Sequence, residues 1–79
     1  METNWNKLAA NILKAELKRR GITYDQLHEK LLALNINDTT NSIKVKVSRG
    51  AFQFAFFLQC AAAIGIKNLR LDELVPESE

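Results

Sequence analysis

Among its 79 residues the chain has one cysteine, one histidine and one proline. A lone Cys60 excludes an intramolecular disulfide. With His28 far from it in sequence, no ligand spacing for a metal exists, and neither metal nor cofactor is expected. The three glycines, Gly21, Gly50 and Gly65, stand singly, which excludes a glycine-rich phosphate loop. A Cys60–His28 nucleophilic pair has no orienting group, and Asp25, Glu29, Asp72 and Glu73 read as caps and surface charges, so no enzyme is expected. No apolar run approaches the roughly 20 residues of a membrane span. The polar start from Glu2 to Lys7 is unlike a signal peptide, and the expected setting is reducing and cytoplasmic.

What is present is ordinary for a globular chain. Hydrophobic residues make up 47% and charged residues 25%, and the length suits one small domain with a single core. The net charge of +2 is unevenly spread. Lys7 to Arg49 carries nine basic and four acidic residues, whereas Gly50 to Glu79 carries two basic and four acidic. The basic excess in the first part favours an anionic partner there.

Helical spacing recurs along the chain. Trp5, Leu8, Ala9, Ile12 and Ala15 fall on one face of a first helix, bordered by Leu13 and Leu17. That helix ends near Gly21 behind Lys18, Arg19 and Arg20, a basic run that suits the helix dipole and reads first as a solvated face, with phosphate contact as the lesser alternative. Thr23 and Gln26 have capping-box spacing and open a second helix over 24–34, with Leu27, Leu31 and Leu34 as its apolar stripe. Asn35 to Asp38 is turn chemistry, and Asp38 can cap the next helix. That third helix, over 38–48, has only Ile43 and Val47 as a buried seam. Its other residues, apart from Val45, are polar, and Gly50 stands where a left-handed C-cap belongs. A helix meant only for packing carries a wider apolar stripe. A face of Thr, Asn, Ser and Lys suits base edges and phosphates in a major groove.

From Phe52 to Ile64 the chain is apolar on almost every face, which suits a plain core helix as well as one that lends part of its surface to a dimer interface. The alternation at Phe52, Phe54 and Phe56 resembles a strand, but the stretch from Leu58 to Ala63 reads better as helix, and no partner strand exists. Gly65 ends that helix, Leu71 to Val75 forms a last turn, and Pro76 stops it. Residues 1–75 are expected to form the domain, and 76–79 a disordered acidic tail.

In order and spacing, the run from Leu13 to Leu74 resembles the lambda-repressor-like, Xre-type helix-turn-helix domains. Leu17 to Thr23 is similar to that family's first-helix exit, Tyr24 to Leu31 to its second helix, and Ser48-Arg49-Gly50 to the end of its recognition helix. Cys60 to Ile66 and Leu71 to Leu74 are similar to its closing helices. Val47 to Gly50, Phe52 and Phe56 to Cys60 also resemble a group of short bacterial proteins of unassigned function. His28 departs from the small residue usual at that position, and the second helix and connector are longer than usual.

The resemblance implies an all-α fold of five helices and sequence-specific binding of double-stranded DNA by a small transcriptional regulator. Asn41 and Lys44 are the leading base-edge candidates, with Thr40, Ser42, Val45 and Ser48 beside them. Tyr24, Gln26, Lys46, Arg49 and Gln53 are the phosphate candidates. One module makes few contacts, so a homodimer is expected, with Phe54 and Phe56 at its interface. The alternative is a protein-interaction module, antitoxin-like or a phage-type adaptor, that keeps the fold without binding DNA.

Overall fold

A computed structural model of the chain describes residues 4–69. These form four helices, α1 (Trp5–Arg19), α2 (Tyr24–Ala33), α3 (Thr40–Arg49) and α4 (Phe54–Ile64), with no strand among the described residues. The expected turn at Leu71–Val75 and the tail at 76–79 lie outside them. No single described helix is long and apolar enough to cross a membrane.

Each helix starts and stops for a local reason. Asn4 caps α1, its side chain accepting from the Lys7 amide at 3.0 Å. At α2 the capping box is complete: the Gln26 amide donates to Thr23 Oγ1, and the Thr23 amide donates to Gln26 Oε1. α2 ends at Ala33, one residue short of the expected boundary. Asn35 takes the left-handed conformation (φ 62) and the Ile36 amide bonds back to the Leu31 carbonyl at 3.0 Å. Leu34 therefore leaves the stripe and is 46% exposed, while Leu27 and Leu31 are fully buried.

Expectation and structure part at the start of α3. Thr39, not Asp38, is the N-cap, its hydroxyl accepting from the Ser42 amide at 3.0 Å. Asp38 is drawn elsewhere: its carboxylate accepts from Lys46 Nζ at 2.6 Å, and its backbone carbonyl accepts from His28 Nδ1 at 2.6 Å. His28 thus sits at the α2–α3 contact, satisfied by a backbone group. The bulky ring ties the connector to α2, where a small residue would leave the Asp38 carbonyl without that donor.

The core gathers Leu13 and Leu17 of α1, Leu27 and Leu31 of α2, Ile43 and Val47 of α3, and Phe56, Cys60 and Ile64 of α4. α2 packs on both α3 and α4, and α1 packs on α3. The chain bends by 118° between α3 and α4. α1 is rotated relative to its expected phase. Ala10, Leu13 and Leu17 face inward, whereas Trp5 is 61% exposed and Ala15 is also outside. The reason is a close crossing at Gly50. That residue has φ 71, and a Cβ placed there would lie 2.6 Å from the Asn6 carbonyl carbon and 3.1 Å from Ala10 Cβ. The small side of α1 must face this crossing, which turns the Trp5–Ala15 face outward.

Candidate nucleic-acid interface

α3 carries the polar face that its sequence pattern singles out. Ile43 and Val47 are fully buried and fix its rotation. That rotation leaves Asn41, Lys44 and Ser48 exposed together and Val45 40% exposed among them. Thr40 and Ser42, in the first turn, are half-buried. Ser42 lends its backbone amide to the Thr39 cap. The first turn is thus held by the connector, and the exposed polar residues extend from it along the helix.

The ion pairs sort the basic residues into two groups. Lys46 belongs to the first. Its ammonium is paired with Asp38 and lies 5.1 Å from the centre of the Phe56 ring. It joins the connector, α3 and α4, so the ammonium expected from sequence to anchor phosphate is engaged by Asp38 and Phe56. Burial pushes the Asp38 carboxyl up, but hydrogen bonds from Lys46 and Ser42 and the charges of Lys46 and His28 outweigh it, holding Asp38 below the usual carboxylate range. Arg19 and Arg20 also belong here, both paired with Glu16. Burial raises the Glu16 carboxyl, and the two guanidinium groups overcompensate, leaving it lowered.

The second group has no ion-pair partner among the described residues. It comprises Lys44 and Arg49 on α3, Lys7, Lys14 and Lys18 on α1, Lys30 on α2 and Lys67 after α4. Lys7 and Lys14 meet Ser48 and Arg49 in a polar cleft of ≈ 470 Å³ between α1 and the C-terminal end of α3. Asn4, Asn6 and Asn11 line the same cleft, and no carboxylate does among the described residues. A second, adjoining depression brings Lys14 and Lys18 to Thr23 and Tyr24 at the start of α2. The α1 lysines are not among the site residues expected from sequence. The signal that could have found them is their 7, 11, 14, 18 spacing, which places Lys7, Asn11, Lys14 and Lys18 on one helical face.

Other candidates are engaged elsewhere or stand free. Tyr24 is half-buried and packs its ring against the core. Gln26 is exposed, but its side-chain oxygen is occupied by the capping box. Gln53 is the exposed N-cap of α4 and makes no side-chain capping bond. Phe54 is 70% exposed and stacks on Phe57 with ring centres 6.1 Å apart. Phe56 is a correction: it is 6% exposed, under Lys46 and beside Phe52, and so belongs to the core rather than to an interface. The large apolar residues that α4 turns outward are Phe54 and, one turn on, Leu58 at 51% exposure.

Burial, with the Asp38 carboxylate adding to it and Lys46 opposing, pushes the Cys60 thiol up to about 12, which keeps it protonated and inert. No group of three or more metal-ligating side chains occurs among the described residues.

No curated protein and no solved structure matches the chain. The family described as a domain of unknown function (DUF6471) matches residues 5–69, which takes in all four helices, and the chain belongs to that family.

Proposed function

We propose that the chain is a lambda-repressor-like, Xre-type helix-turn-helix domain that binds double-stranded DNA as a homodimer and acts as a small transcriptional regulator. The observation that carries this reading is the exposed face of α3. Asn41, Lys44, Val45 and Ser48 point away from a fully buried two-residue seam. Lys44 and Arg49 have no carboxylate partner among the described residues. Asn suits adenine, Lys suits guanine, and an exposed Val meets a thymine methyl. Arg49 and Gln53 flank the face as phosphate contacts, with Tyr24 and the Gln26 amide group at the start of α2. The dimer contact runs through Phe54 and Leu58. One module buries little of the duplex, and two-fold pairing places two reading helices about 34 Å apart, one DNA turn.

A second reading has an observation of its own. Trp5, Phe54 and Leu58 are large apolar side chains exposed to solvent. Such surface also suits a protein-interaction module, antitoxin-like or a phage-type adaptor, on the same fold. Fluorescence anisotropy with a mixed-sequence duplex over a salt series separates the two. The DNA reading requires binding at low salt that weakens log-linearly as salt rises. The interaction reading requires no DNA binding at any salt.

A further inference from the structure

The exposed face of α3 leaves a second feature unexplained. Lys7, Asn11, Lys14 and Lys18 form a single stripe along α1, and none of these lysines is paired with a carboxylate among the described residues. Arg19 and Arg20, just beyond the stripe, are both paired with Glu16, which offsets one of their two charges. The difference is one of helical phase: Glu16 reaches residues three and four ahead of it but faces away from the lysine stripe. At one end the stripe meets Ser48 and Arg49 of α3. At its other end it meets Thr23 and Tyr24, where α2 begins and its free amides favour an anion. Lys14 lines both depressions.

We infer that the Lys7–Lys14–Lys18 stripe of α1, together with Arg49, is the main phosphate-binding track of this domain. The inference rests on the DNA reading and deepens it. Three points support the track over the contacts that sequence alone suggests. Lys46 is already held by Asp38 and Phe56, and half of the Gln26 amide is used in capping. The cleft between α1 and α3 is lined by cations, amides and a hydroxyl, which together donate to phosphate oxygens, with no acidic group among the described residues to repel them. The length also fits. At 1.5 Å per residue, Lys7 and Lys18 stand roughly 16 Å apart along the axis. That reach covers several successive phosphates of one strand, spaced about 3.4 Å along the duplex axis. Gly50 makes the arrangement possible, because its close approach to Asn6 brings α1 alongside the end of α3.

The test is the salt dependence of duplex binding by the full chain, read by anisotropy. The variants are Lys7→Gln/Lys14→Gln/Lys18→Gln, the same three positions changed to Arg, and Arg19→Gln/Arg20→Gln. The triple Gln variant is expected to keep its helical melting transition. Its log K against log salt slope should fall by about 0.9 for each lost contact. The loss of affinity should be equal for every duplex sequence. The Arg triple should restore the wild-type slope, and the Arg19/Arg20 variant should leave it unchanged. A triple Gln variant with the wild-type slope overturns the track while leaving DNA binding through α3 standing, as does an Arg19/Arg20 variant that loses as much. A wild-type chain that binds no duplex at any salt overturns both the track and the DNA reading.

Discussion

Replacing Gly50 by Ala should damage this fold more than the same change at Gly21. Both glycines have positive φ, 71 and 66. Holding an L-residue there costs roughly 1–2 kcal/mol at either position. At Gly21 nothing lies within 4 Å of an added Cβ, so that cost is the whole effect. At Gly50 the new methyl would lie 2.6 Å from the Asn6 carbonyl carbon, closer still to its oxygen, and 3.1 Å from Ala10 Cβ. The Asn6 atoms are backbone and Ala10 is buried, so no flexible side-chain end can yield. α1 must move off α3, and overpacking of this kind costs a further 1–3 kcal/mol or so. The sum is roughly 2–5 kcal/mol, a large part of the roughly 4–12 kcal/mol expected for a chain of 79 residues. Urea unfolding monitored by circular dichroism, on wild type, Gly21→Ala and Gly50→Ala, gives the comparison directly. In a thermal melt the Gly50 variant should lose roughly 10 °C or more. A Gly50→Ala stability within about 0.5 kcal/mol of Gly21→Ala would refute the close crossing and, with it, the placement of α1 beside Arg49.

The same contacts give further expectations. Lys46→Met should lower stability by roughly 1 kcal/mol through loss of the Asp38 pair and the Phe56 contact, and should leave the salt slope of DNA binding unchanged; chemical denaturation and anisotropy check the two parts. Asp38 and Glu16 are both lowered from their ordinary values of 3.8 and 4.5. The stability they contribute is complete above those values and lost as pH falls through the lower folded ones, so acid unfolding of Asp38→Asn/Glu16→Gln should be less steep than that of wild type. Phe54→Glu should keep the melting transition and abolish dimerisation in sedimentation, whereas Phe56→Ala should cost about 3–5 kcal/mol. A Phe54→Glu chain that still sediments as a dimer would move the interface elsewhere.

Much of the fold is legible in the sequence because its signals are local. The Thr23–Gln26 capping box, the left-handed Gly50 and Gly65, and the Ile43–Val47 seam each depend on residues within a turn of one another. The features that escape a sequence reading depend on distant partners. Asp38 reads as a cap until Lys46, eight residues on, takes its carboxylate and leaves Thr39 to cap α3. Phe56 and Phe54 look equivalent in an all-apolar helix, and only the packing of α4 on α2 puts one inside and the other out. The phase of α1 is hidden because Leu and Ala occur on both its sides, and the decision lies with a glycine far along the chain. The polar face of α3 is visible from sequence, whereas the lysine stripe beside it needs the sorting of paired from unpaired cations that only a three-dimensional arrangement gives.

The central claim, that the exposed face of α3 reads DNA, is tested most directly by selecting bound duplexes from a random pool with wild type and with Asn41→Ala and Lys44→Ala. The account predicts that wild type enriches a two-fold symmetric site. Each variant should relax preference at one base position in each half-site, at a cost of roughly 1–3 kcal/mol. A wild-type selection that enriches no sequence, or variants that enrich the unaltered site at unaltered affinity, would contradict it.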